Sequence, residues 1–162
     1  VRPDPARNIL LMAHLDRRGR NKPALGLVKG MGLKQGALAN SLIWDTNNIL
    51  VIGADESDMA QAVGRLLELG GGFVVWAQGQ VKAELPLPMG GIISSEDLAT
   101  IVRLLKDTER AAHELGCQIP RPFLALQTLP FTGLPFIRLT DKGLVDIKKG
   151  RLVETILGPA GS

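Results

Sequence analysis

Two stretches of the chain, residues 55–72 and 94–116, repeat their apolar side chains at helical spacing. Everywhere else the apolar residues fall in short runs bounded by glycine, proline and polar turn formers. This alternation restricts the fold more than any other feature, because short strands in hairpins separated by single helices argue for an α+β domain. In the first stretch Met59, Ala62, Val63, Leu66, Leu67 and Leu69 share one face, Asp55 is placed to cap with Asp58 at the third position, and Gly70, Gly71 and Gly72 stop the helix. In the second, Ser94 with Asp97 reads as a capping box. Leu98, Ile101, Val102, Leu105, Ala112 and Leu115 form one apolar stripe there, Arg103, Lys106, Asp107, Glu109 and Arg110 turn to water, and Gly116 ends the helix.

The strand-like runs pair naturally into hairpins. Residues 8–15 suit a buried strand, and residues 26–33 a second one in which Gly30 and Gly32 point to a bulge or a close backbone approach. Residues 36–43 and 48–52 flank the polar group Trp44, Asp45, Thr46 and Asn47, which makes a hairpin. Phe73 to Trp76 begins another: after the turn at Gln78, Gly79 and Gln80, Val81, Ala83, Leu85 and Leu87 alternate strictly with Lys82, Glu84, Pro86 and Pro88. The two prolines put the end of that strand at a sheet edge. Residues 123–129, 135–139 and 152–157 are read as short strands. The expectation is an α+β domain over residues 1–157, mainly antiparallel sheet covered by two main helices, with a flexible tail at 158–162.

Composition removes several functional classes. No run approaches the 18 or so apolar residues of a membrane span, and tyrosine is absent with aromatics at 4%, too few for the stacking platforms that grip single-stranded nucleic acid. Neither a membrane nor a nucleic-acid partner is expected. The first 34 residues carry eight basic side chains against Asp4 and Asp16, yet Arg17, Arg18 and Arg20 surround Gly19 in what reads as a solvated turn, so this asymmetry speaks to solubility. Cys117 is the only cysteine and no secretory or transit leader is visible, which favours a cytoplasmic setting. The chain begins at Val1 rather than methionine, and is expected to be a piece of something longer.

Few residues suggest chemistry. The glycine-rich stretch from Gly26 to Gly36 resembles a phosphate loop only superficially, since it leads into another strand and lacks Gly-Lys-Ser/Thr at a helix start. His14 and His113 lie about a hundred positions apart without a partner at ligand spacing, so no metal ligand or catalytic residue is assigned. Both are read as structural, as is Cys117, and Ser94 and Ser95 are explained by capping. The densest polar group is Trp44, Asp45, Thr46, Asn47 and Asn48. Trp44, Asp45, Asn47 and Asn48 could hold a small polar ligand by stacking and hydrogen bonds, while the same residue types also form ordinary turns.

The string from Gly26 to Ser41, followed by Trp44, Asp45, Thr46, Asn47, Asn48 and the run to Gly53, resembles the carboxy-terminal domain of bacterial adenine deaminases. Later blocks recur there in the same order: Asp58-Met59-Ala60, Gly70-Gly71-Gly72, Ala83 to Pro88, Glu114 to Cys117, and Leu139 to Asp146. The resemblance implies a parent of the amidohydrolase superfamily that converts adenine and water to hypoxanthine and ammonia. It also implies a binuclear iron or manganese centre in an upstream barrel domain, where a metal-activated water attacks C6 of the purine. This chain departs from the family at two places. Where the family reads His-Asp-Ser-His-Asn, residues 44–48 lack both histidines, and an Arg-His pair after the first strand is altered at Asp16-Arg17-Arg18.

Three roles follow from the residues and the resemblance together. The chain could be a non-barrel domain, inactive alone, that gives stability, a subunit contact or one wall of a purine site. It could be a purine or small-amide binding module, or it could assemble a homo-oligomer through Trp44 or the Pro86-Leu87-Pro88 edge.

Overall fold

The structure, a computed structural model, describes residues 2–153. The tail expected at 158–162 and the end of the run 152–157 lie outside the described residues.

After a single 3-10 turn at Pro5–Arg7, the chain forms β1 (Ile9–Leu15), β2 (Ala24–Lys29), β3 (Ala37–Asn40), β4 (Ile49–Gly53), α1 (Glu56–Glu68), β5 (Gly72–Ala77) and β6 (Gln80–Pro86). There follow α2 (Leu98–Glu114), α3 (Pro122–Thr128), β7 (Ile137–Thr140), β8 (Gly143–Asp146) and β9 (Arg151–Val153). The first six strands make one antiparallel sheet in the order β2-β1-β4-β3-β5-β6, and the last three a small sheet in the order β7-β8-β9. The expected hairpins β1–β2, β3–β4 and β5–β6 are all present, and the α+β class holds.

The central strands are apolar on both faces, so the sheet must be covered twice. Leu11, Ala13, Ala37, Ala39, Val51 and Val74 face α1, whose Met59, Ala62 and Leu66 are buried against them. Leu10, Met12, Leu38, Leu50, Ile52, Phe73 and Val75 face the other way, toward Ala111, Ala112 and Leu115 at the end of α2, Phe123 and Leu126 of α3, and Leu139 of the small sheet. The rings of Phe73 and Phe123 stack at 4.5 Å and 3°, which ties α3 to β5. Truncating a side chain as enclosed as Leu66 would cost about 2–5 kcal/mol.

Four local expectations are corrected. Residues 123–129 are helical rather than extended: Pro122 occupies the first turn, where its missing N–H costs nothing, and Phe123 and Leu126 bury one face. The second strand stops at Lys29, because Gly30 and Gly32 take positive φ and the Gly32 N–H leaves the ladder to donate to Asn8 Oδ1 at 2.6 Å. A Cβ at Gly32 would lie 2.7 Å from the Gly116 carbonyl, so the close approach is what requires glycine there. The cap of α2 is Asp97, accepting from Thr100 N–H at 2.9 Å, whereas Ser94 accepts from Glu96 N–H one turn earlier. Finally, Leu98 at 78% and Val102 at 41% exposure leave the first turns of the α2 stripe in the open.

Candidate functional site

The antiparallel register of β1 and β4 brings two distant segments together. Leu15 lies opposite Ile49, so the residues leaving β1 sit beside the residue entering β4. Asp16, Arg17, Arg18 and Arg20 thereby meet Thr46, Asn47 and Asn48 around a cleft of about 610 Å³, with Gly90 and Asp141 completing its wall.

The turn after β1 is internally locked. The buried Asp16 carboxylate accepts from Arg20 Nε at 2.8 Å, from Arg18 N–H at 3.1 Å and from Arg20 N–H at 3.3 Å. The Arg20 guanidinium, followed by the Arg18 amide, holds the Asp16 carboxyl below the usual carboxylate range, and Asp16 raises Arg20 in return. Arg17 fixes the turn to its surroundings. Its amide donates to Asn48 Oδ1 at 3.2 Å, and its guanidinium donates to the carbonyls of Gly70, at 3.0 Å, and Gly90. Behind it Ser41 pins the same region: its buried hydroxyl accepts from Gly72 N–H at 2.8 Å and donates to the Gly91 carbonyl at 2.7 Å. Gly71 must be small in this corner, because a Cβ there would stand 2.4 Å from Gly91 Cα.

The β3–β4 connection divides the residues proposed from sequence. Asn47 and Asn48 line the cleft. Asn48 is buried and its Oδ1 is engaged by Arg17, so it orders the wall, whereas the Asn47 amide group is the one left at the cleft with its backbone N–H bonded to Ile43 O at 3.0 Å. Thr46 Oγ1 accepts from Asn48 N–H at 3.3 Å, shaping the turn as Thr commonly does. Trp44 and Asp45 are not among the residues around the cleft. Trp44 turns toward α3, where its Nε1–H donates to Gln127 Oε1 at 3.2 Å and its ring meets Phe131 edge to face at 5.2 Å. Asp45 is exposed, with φ of 74°. The arginine turn read from the sequence is solvated, with Arg18 and Arg20 exposed; what that reading missed is the cleft the turn forms with Thr46, Asn47 and Asn48 and the anchoring of Arg17. The available signal was the turn's position directly after a strand that pairs with the Asn48 strand.

His14 lies in β1 two residues before Asp16, 1% exposed, and neither ring nitrogen makes a well-formed hydrogen bond among the described residues, the Thr140 and Leu139 backbone being its polar neighbours. Burial pushes its pKa below the ordinary value, against the opposing pull of the Thr140 backbone, Asp141 and Asp16. His113 is exposed at the end of α2 and its Nδ1–H donates to the Cys117 carbonyl at 2.9 Å. Burial raises the Cys117 thiol, the opposite of what a reactive thiolate needs. Among the described residues no group of three or more His, Cys, Asp or Glu side chains is arranged to hold a metal ion, and no helix is long and apolar enough to cross a membrane.

Residues 1–151 match the family described as the adenine deaminase C-terminal domain. The chain belongs to that family. A protein named adenine deaminase from Methylobacterium sp. (strain 4-46) is 43% identical over 150 residues, covering 93% of this chain and 27% of that relative. Another so named, from Brucella abortus (strain 2308), is 42% identical over 154 residues, covering 94% of this chain and 26% of the relative. A third, from Cereibacter sphaeroides (strain ATCC 17025 / ATH 2.4.3), is 40% identical over 149 residues, covering 91% of this chain and 26% of the relative. The chain therefore spans about a quarter of the length of these relatives. As an adenine deaminase C-terminal domain it carries the glycine-rich β2–β3 connection and the β3–β4 connection of the cleft inside the matched region.

Proposed function

We propose that this domain serves an adenine deaminase-like hydrolase as the wall of its purine site, and that the reaction converting adenine and water to hypoxanthine and ammonia is carried out on an upstream barrel domain. The observation that carries the reading is the match of residues 1–151 to a domain that makes up about a quarter of proteins named adenine deaminase. An iron or manganese pair would activate water and bind upstream; the described side chains of this domain do not form a fitting ligand set, so no catalytic step is assigned to them.

What the cleft can supply is recognition. Asn47 presents both a donor and an acceptor at its amide, the pairing that an adenine ring edge asks for, and Arg18, which also lines the cleft, adds a donor fork. Asp16, paired with Arg20, stays ionised and keeps the Arg18 backbone in place. The bond from the Arg17 amide to Asn48 Oδ1 joins the two segments that line the cleft, which supports a geometry set before a ligand arrives.

The test uses the parent polypeptide. Changing Asn47→Ala and Arg18→Ala together should raise KM for adenine about tenfold or more, as loss of two hydrogen bonds to a bound group does, while kcat changes less. Unaltered KM in a folded double variant would refute the assignment of the cleft to the substrate.

A further inference from the structure

The two halves of α2 are covered unequally. Thr108, Ala111 and Ala112 are buried, whereas no residue from Leu98 to Asp107 is. Beside that uncovered half lies a groove of about 740 Å³, distinct from the cleft. Phe73, Leu85, Leu87 and Phe123 reach it from the core, Ile101 and Leu105 line it from α2, and Ile93, Val102 and Leu124 are its exposed apolar residues, Ile93 at 53% and Leu124 at 43%. A ligand pocket encloses most of its occupant, and this groove does not. Leu98, one helical turn before Val102, extends the apolar surface along the helix.

Charge is sorted around the same helix. On the face turned to water Arg103, Asp107, Arg110 and Glu114 pair with one another. Glu96, Lys106, Glu109 and Arg121, which line the groove, form no ion pair among the described residues. Contiguous apolar surface bordered by unpaired charges of both signs has the make-up of an interface. One loop separates this groove from the cleft: Gly90 lines the cleft, while Ile92, Ile93 and Ser94 line the groove. The backbones of Met89 and Ile93 close the loop by exchanging two hydrogen bonds of 3.1 Å, and the Gly90 and Gly91 carbonyls accept from Arg17 and Ser41.

We propose that the groove between α2 and α3 seats an apolar segment of the preceding part of the parent polypeptide, with charges of both signs meeting Glu96, Lys106, Glu109 and Arg121, and that this contact sets the cleft alongside the upstream domain. The inference rests on the reading of the chain as the end of a longer hydrolase. The relatives it matches have about three quarters of their length outside the matched region, and the family is described as a C-terminal domain, so the occupant is polypeptide that precedes it. Because Gly90 and Ile93 belong to one anchored loop, a segment seated in the groove lies on the other side of that loop from the cleft.

The test reads thiol labelling, so it is decided separately from the KM values that test the cleft. Val102→Cys is placed in the 162-residue chain and in the parent polypeptide, and alkylation by iodoacetamide is followed at that peptide by mass spectrometry, with Cys117 buried in the domain. Labelling should be about tenfold or more slower in the parent, where the contact must open first. Arg103→Cys, on the ion-paired face, should react at similar rates in both. Leu124→Asp puts a carboxylate into the apolar contact and should restore fast labelling of Val102→Cys in the parent, while the circular dichroism of the chain stays unchanged because Leu124 is exposed there. Should that variant fail to fold, Ile93→Asp replaces it. Equal labelling of Val102→Cys in chain and parent would overturn the proposal, as would protection of Arg103→Cys to the same degree or protection that survives the aspartate. Slow labelling in the isolated chain that speeds up on dilution or dialysis would give the groove to a second copy or a small ligand, and would overturn it too.

Discussion

His14→Leu should make the protein more stable, and increasingly so in acid. The imidazole is 1% exposed between the cross-strand neighbours Ala24 and Leu50, and neither of its nitrogens makes a well-formed hydrogen bond among the described residues. A buried polar group without a well-formed hydrogen bond costs about 1 kcal/mol or more, and leucine fills a similar volume without that cost, so the variant should gain about 1 kcal/mol at pH 7. The pH dependence has a fixed sign. The folded-state pKa lies below the unfolded value of 6.5, so as pH falls through 6.5 the unfolded chain takes up a proton that the folded chain refuses. The wild type then loses up to about 1.4 kcal/mol per pH unit until the depressed folded pKa is reached, and His14→Leu does not. Urea denaturation followed by the fluorescence of Trp44 and Trp76 at a series of pH values between about 7 and 5, the range in which a free histidine titrates, measures the difference. Parallel stability profiles, or a variant less stable than wild type at pH 7, would refute the reasoning.

Three further substitutions probe the framework by the same denaturation assay. Ser41→Ala strands the Gly72 N–H and the Gly91 carbonyl in a buried corner and should cost about 3 kcal/mol, with Ser41→Thr recovering part of it if the methyl group is accommodated. Gly71→Ala combines a φ of +123° with a Cβ 2.4 Å from Gly91 Cα, and should cost about 2–4 kcal/mol; a neutral result would mean that the corner is looser than its geometry. Asp97→Ala should remove about 1 kcal/mol as the true cap of α2, whereas Ser94→Ala should change stability by less than about 0.5 kcal/mol, and the reverse order would return the cap to Ser94.

What the sequence reveals depends on whether the signal is local. The α1 helix was legible because Asp55, its apolar spacing and the glycines after it all lie within one stretch, and the Asp55 side chain does accept from Asp58 N–H at 2.9 Å. Strict alternation made β6 legible for the same reason. The α3 helix was not, since a short apolar run after a proline shows no period, and its helicity is set by the packing of Phe123 on Phe73. The strand β8 was missed because four half-buried residues carry too little pattern, and Gly143 to Asp146 became a strand only through pairing on both sides. Asp97 and Ser94 satisfy the same capping rule, and only the path of the chain chooses between them. The cleft was half visible. Asn47 and Asn48 stood out as a polar cluster, but their meeting with the segment from Asp16 to Arg20 follows from long-range β1–β4 pairing, and similar long-range packing turns Trp44 away toward Gln127 and Phe131.

The sharpest test of the account is an assay of hypoxanthine formation by the 162-residue chain and by its parent polypeptide, each supplied with iron or manganese. Turnover of adenine by the parent, with none above the no-enzyme control for the chain alone, is the predicted result. Deamination by the chain alone would contradict the claim that this domain frames a reaction performed elsewhere.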